Sequence, residues 1–67
     1  MDEVQLNDMI LSVSSTVEKN HCAIKREQLF QKYKNTDPET LKYVVEVMKQ
    51  RRMLIYDQKY DKYRLVL

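Results

Sequence analysis

The sequence predicts a small α+β fold: three helices and an antiparallel β hairpin, with a short strand between the first two helices. Three observations predict it. Apolar residues recur at helical spacing along three stretches of the chain. An Asp37-Pro38 pair marks a helix start in mid-chain. From Met53 onward the period changes to that of extended, β-prone runs.

The first helix is expected over residues 4–18. Leu6, Met9, Ile10, Val13 and Val17 fall at i, i+3, i+4, i+7 and i+11 and form one apolar stripe. Asp2 and Gln5, three apart, make a capping box. The helix should end near Lys19-Asn20, where Asn20 can take the left-handed conformation that glycine would otherwise supply. Cys22-Ala23-Ile24 reads as a short extended stretch. It leads into a second helix over 26–34, with Leu29, Phe30 and Tyr33 inward and Gln28, Gln31 and Lys32 outward. Lys34 to Thr36 is a connector.

In the third helix Pro38 occupies the first position, where its missing N–H costs nothing, and Asp37 is the cap. Thr36 with Glu39 is a rival capping box one residue earlier. The helix should run to Gln50 or Arg51, with Leu41, Val44, Val45 and Met48 as its stripe. Met53 to Tyr56 and Tyr63 to Leu67 are the two strands, and 57–62 is the polar loop between them. The expected core is Leu6, Ile10, Val13, Leu29, Phe30, Leu41, Val45, Met48, Ile55 and Leu65.

Sixty-seven residues allow one domain, 1–67, with no second one to form a substrate cleft. The chain is 43% apolar and 33% charged, too apolar for a disordered tail. Cys22 is the only cysteine and His21 the only histidine, so no internal disulfide and no two-histidine metal site can form. Glycine is absent, which removes P-loops, dinucleotide fingerprints and nucleophile elbows. No apolar run approaches the roughly 18 residues of a membrane-spanning helix, and the N-terminus does not read as a signal peptide. The expectation is an intracellular module, nuclear or cytoplasmic, that works by binding. It is not an enzyme and takes no cofactor, small-molecule substrate or membrane. A complete fold without tails points to an excised domain.

The element order helix, strand, helix, helix, strand, strand resembles the winged-helix arrangement, a helix-turn-helix variant with a β hairpin as its wing. The resemblance spans the whole chain and rests on element order and apolar spacing. Pro38, Leu41-Lys42, the stripe from Val44 to Met48 and the aromatic strand pair from Tyr56 to Leu67 resemble the C-terminal winged helix of cullins. Gln28-Leu29-Phe30 and the ending Arg64-Leu65-Val66-Leu67 resemble the C-terminal winged helix of replicative helicase (minichromosome maintenance) subunits, which implies a link to DNA replication. Classical cullins carry a modifiable lysine in the first helix. The segment Met9 to Ser14 has none, so a cullin-like reading lacks that site.

Charge is unevenly spread. Residues 1–48 hold six basic and eight acidic residues, a balance of −2, and residues 49–67 hold six basic and two acidic, a balance of +4. A basic C-terminal third can meet phosphates or an acidic protein, or can simply be solvated charge. In a DNA-reading winged helix the third helix enters the major groove. Its expected outer face is Glu39, Tyr43, Glu46 and Gln50, flanked by Lys42 and Lys49. Gln50 can read adenine and Tyr43 can touch backbone, but two carboxylates would approach phosphates. The competing reading is a solvated face with Lys42–Glu46 and Glu46–Lys49 neighbours.

The wing is the better phosphate candidate. Lys59, Lys62 and Arg64 are interleaved with Tyr60 and Tyr63. Edge protection by lysine is the structural alternative. Lys25 and Arg26 open the second helix, where cations oppose the dipole, and that misplacement hints at use. Arg51 and Arg52 close the third helix and complement its dipole. Cys22 reads as a small buried group beside His21 on an extended stretch, and Met9, Met48 and Met53 as core filler. Two functions compete: duplex-DNA binding through the wing and the flanks of helix three, and docking of a protein partner within a larger assembly. Nucleic acid leads on the fold's usual use, and the acidic centre of helix three favours protein.

Overall fold

A computed structural model describes residues 1–66. Its elements are α1 (Glu3–Lys19), β1 (Ala23–Lys25), α2 (Arg26–Lys32), α3 (Pro38–Gln50), β2 (Leu54–Asp57) and β3 (Lys62–Leu65). The order is the predicted one, three helices with a three-stranded antiparallel sheet, consistent with a winged-helix-like layout. The last residue of the second expected strand, Leu67, lies outside the described residues.

Local chemistry sets the helix starts. The Gln5 amide donates to Asp2 Oδ1 at 2.8 Å and the Asp2 amide to Gln5 Oε1 at 3.4 Å, so the capping box closes on both sides. At α3 the Glu39 amide donates to Asp37 Oδ1 at 3.3 Å, with Pro38 in the first turn. Asp37 is therefore the cap, and the start suggested by Thr36 is set aside.

The helix ends had to be built without glycine. The left-handed residues are His21 (φ 63°), Cys22 (φ 63°), Arg52 (φ 60°) and Asp61 (φ 51°). Asn20, expected to be left-handed, has φ −100° and ψ 38°. Its side chain instead donates to the Ala23 carbonyl at 2.7 Å and braces the two residues that do turn. His21 and Cys22 therefore form a turn and not an extended stretch, and β1 begins one residue later than predicted, at Ala23. Cys22 is half-buried, less enclosed than expected. At the end of α3 the Met53 amide donates to the Met48 carbonyl at 2.8 Å and Arg52 to Lys49 at 3.0 Å. This is a Schellman closure with arginine in the position usually held by glycine.

The sheet order is β1-β3-β2, antiparallel throughout. The register pairs Leu54 with Leu65, Tyr56 with Tyr63 and Ile24 with Tyr63. These five residues share the inner face, because side chains alternate along each strand. The core joins that face to Leu6, Ile10, Val13 and Val17 of α1, Leu29 of α2, and Leu41, Val44, Val45 and Met48 of α3. Three core expectations change. Ile55 points outward and is 52% exposed, and Leu54 takes the inner position. Phe30 and Leu65 are half-buried and pack against the core from its edge. Helix α2 ends at Lys32 and not at residue 34, and Tyr33 follows it as the cap residue. The Tyr33 hydroxyl meets Ser12 Oγ at 2.6 Å and Thr16 Oγ1 at 3.0 Å, tying the end of α2 to α1. Met9 and Met53 are half-buried against the core and Met48 lies within it. Among the described residues no helix is long and apolar enough to cross a membrane.

Candidate functional site

The wing is a four-residue loop, 58–61, held by an aspartate at each end. Asp57 Oδ1 accepts from the amides of Lys59 at 3.0 Å and Tyr60 at 3.3 Å, which folds the loop back on itself. Asp57 Oδ2 accepts from Arg64 Nη2 at 3.2 Å. Partial desolvation pushes the Asp57 carboxyl upward, yet the bonds from Arg64, Tyr60 and Lys59 outweigh it and hold the group below the usual carboxylate range.

Asp61 does more. Its backbone takes the left-handed turn that brings the chain into β3. Its carboxylate accepts from Arg26 Nε at 2.9 Å and Nη2 at 3.2 Å, and also from the Tyr56 hydroxyl. Its carbonyl accepts from the Arg26 amide at 2.9 Å. Hydrogen bonds from Arg26 and then Tyr56 hold the Asp61 carboxyl below its ordinary value. The Tyr56 hydroxyl is raised, first by its bond to Asp61. Arg26 was expected as a cation misplaced at a helix start. The Asp61 carboxylate beside it supplies a structural reason for that placement.

The outer face of the sheet follows from the same register. Lys62 stands between Lys25 on β1 and Asp57 on β2, and Arg64 stands between Ala23 and Ile55. Asp57 is engaged by Arg64, so Lys25 and Lys62 are like charges directly opposite each other without a carboxylate bonded to either among the described residues. Directly opposed like charges destabilise a sheet. Beyond them Tyr60 projects from the loop, 55% exposed. Lys59 Nζ lies 5.3 Å and Lys62 Nζ 5.4 Å from its ring centroid. Tyr63, expected among the wing contacts, turns inward and is only 7% exposed, and burial raises its hydroxyl.

Helix α3 presents the expected face, with Glu39, Lys42, Tyr43, Glu46 and Gln50 exposed and Lys49 half-buried. Its charges are paired within the helix, though differently from the expected Lys42–Glu46 contact. Lys42 meets Glu39 at 3.8 Å and Lys49 meets Glu46 at 3.1 Å. Lys49 also lies 5.9 Å from the Tyr56 ring centroid. Two acids and two lysines leave this face without net charge. Among the described residues, one surface hollow is lined by Glu39, Thr40 and Tyr43 of this helix together with Met1, another by Met1, Gln5, Asp8, Met9 and Thr40, and a third by Glu27, Gln28, Gln31 and Lys32.

The structure brings Lys25, Lys59, Tyr60, Lys62 and Arg64 onto one surface and separates them from Tyr43, Glu46 and Gln50 on α3. Sequence reasoning missed Asp57, Asp61 and Tyr56 as the wing's frame. The signal was available for Asp61: a hairpin without glycine needs an Asp or Asn at its left-handed position. The chain matches no family model, no curated protein and no solved structure.

Proposed function

We propose that this chain is a winged-helix binding module whose partner is nucleic acid, held through the wing and the outer face of its sheet. One observation carries this reading: the opposed Lys25 and Lys62, with Lys59 beside them, form a cationic row that the protein's own carboxylates leave uncompensated. Phosphates of a nucleic-acid backbone would relieve that repulsion. The likeness in element order to the winged helices of replicative helicase subunits points the same way. The module works by binding and not by catalysis, inside the cell, in nucleus or cytoplasm. Helix α3 has a lesser part than in a groove-reading domain, because Lys42 and Lys49 are matched by Glu39 and Glu46.

The test is a salt series on duplex DNA followed by fluorescence anisotropy. Each neutralised phosphate contributes about −0.9 to the slope of log affinity against log salt. Three lysines set a slope near about −2.7, and Lys62→Ala makes it shallower by roughly one. A flat response transfers the function to the second reading, docking of a protein partner as in cullins. That reading has its own support in the neutral α3 face, where Tyr43 is 54% exposed.

A further inference from the structure

Tyr60 has no structural duty that accounts for its position. It lies at the tip of the loop, outside the core, with more than half its surface in water. The loop does not need its ring, because the amides of residues 59 and 60 are held by Asp57 and the far end of the loop by Asp61. Anchoring at both ends holds the backbone that carries the ring. Two lysine ammoniums lie over the ring, Lys59 Nζ at 5.3 Å and Lys62 Nζ at 5.4 Å from its centroid. An exposed ring with cations beside it suits one kind of ligand: a base face with phosphates next to it. Continuous duplex offers the phosphates but hides the base faces in its stack. Only an end, a gap or a single strand exposes both.

Resting on the nucleic-acid reading above, we infer that the wing tip binds unpaired nucleotides, with Tyr60 stacking on a base while Lys59, Lys62 and Lys25 hold the neighbouring phosphates. The ligand class is therefore a duplex with a single-stranded tail, or a single strand. The two kinds of residue divide the work. The lysines act on any strand through charge, and Tyr60 distinguishes unpaired from paired bases. Because stacking needs only a π-face, the preference is for strandedness and not for base sequence.

The experiment uses the full chain with three labelled probes: a blunt duplex, the same duplex with an oligothymidine tail, and the tail alone. Anisotropy at low salt should give tighter binding to the tailed duplex than to the blunt one, by roughly 5- to 150-fold for one stacked base. Tyr60→Ala should abolish that advantage, so that tailed and blunt duplexes bind alike. Tyr60→Phe should retain it, since the ring and not the hydroxyl does the stacking. Lys62→Ala should weaken every probe alike. The chain contains no tryptophan, so Tyr60→Trp supplies a single reporter whose emission should be quenched by the tail and not by blunt duplex. Circular dichroism on each variant separates loss of contact from loss of fold. If blunt duplex binds with a salt slope but the tail adds nothing, or Tyr60→Ala keeps the tail's advantage, the inference is overturned and the nucleic-acid reading survives. If no probe binds at low salt, or an oligoglutamate peptide binds as well as the tail, both are overturned.

Discussion

The sheet register can be tested with two neighbouring residues. Leu54 and Ile55 are adjacent, both aliphatic and both in β2, but Leu54 is 1% exposed and Ile55 52% exposed. Truncating a fully buried leucine to alanine costs about 2–5 kcal/mol, because transfer energy is lost and a cavity remains. Ile55 already has about half its surface in water, so Ile55→Ala should cost about 1 kcal/mol or less, mostly lost strand propensity. A domain of this size has a total stability of roughly 3–10 kcal/mol. Leu54→Ala therefore removes a large share of it, and Leu54→Val, with one methylene fewer, gives a measurable fallback at about 0.8 kcal/mol. The assay is urea unfolding followed by far-UV circular dichroism, with the slope checked for two-state behaviour. At about 4–8 °C per kcal/mol, the thermal midpoints of the two alanine variants should also be well separated. Equal losses, or a larger loss at Ile55, would mean that β2 is slipped by one residue against β3 and that Ile55 faces the core. The opposition of Lys25 and Lys62, set by the pairing of β1 with β3, does not depend on that register.

Other measurements probe the caps, the turns and the wing frame. Asp37→Ala should destabilise by about 0.5–2 kcal/mol while Thr36→Ala stays near neutral, and the reverse order by urea titration would move the start of α3. Arg52→Gly should leave stability unchanged or raise it by up to about 1 kcal/mol, since relief of the left-handed backbone offsets glycine's unfolded-state entropy. Asp61→Gly relieves the same kind of backbone yet should lower the thermal midpoint, because the bonds to Arg26 and Tyr56 go with the carboxylate. The folded-state values of Asp57 and Asp61 are depressed, so their contribution is fully present above the unfolded carboxylate value near about 3.9 and is lost as pH falls through the lower folded values. Tyr56 and Tyr63 are raised, so theirs is lost only above about pH 10. Asp61→Asn should flatten the acid limb of a stability–pH curve, and an unchanged limb would remove Asp61 from the wing frame.

The helices were legible because their signals are local and periodic. The stripes of α1 and α3 repeat every three or four residues, and both caps are formed by residues within three positions of the helix start. The hairpin was legible in outline only. Met53 to Tyr56 is apolar throughout, so alternation could not decide between Leu54 and Ile55. The decision falls to the Schellman closure at Met48 and Met53, which sets where the chain enters the sheet. Phe30 was over-buried for a similar reason: a seven-residue helix gives too little periodicity to rank its apolar positions, and Leu29 took the central one. The turns were least legible. A chain without glycine must place its left-handed residues elsewhere, and propensity favoured Asn20. The adjacent His21 and Cys22 took them instead, with the Asn20 side chain bonding across the turn.

The wing sorts its cations by type, and the sorting bears on what it can recognise. Arg26 and Arg64 are both committed to aspartates, the first through a two-bond fork. Lys25, Lys59 and Lys62 have no such partner among the described residues. Arginine is the residue that reads a base edge or grips a phosphate with two parallel bonds. Lysine acts as a mobile point charge. With its arginines used as structure, the wing is left with the side chains that position a backbone and without those that read it. On α3 the carboxylates of Glu39 and Glu46 pair with Lys42 and Lys49, the latter next to Gln50. If the partner is nucleic acid, as proposed, a surface of this kind would distinguish ligands by phosphate density and by the exposure of base faces to Tyr60. Asp57→Ala would release Arg64 into the cationic row, so it should strengthen binding to every probe and steepen the salt slope, provided circular dichroism shows the hairpin intact. An unchanged slope in a folded Asp57→Ala variant would mean that Arg64 lies outside the contact and that the interface ends at Lys62.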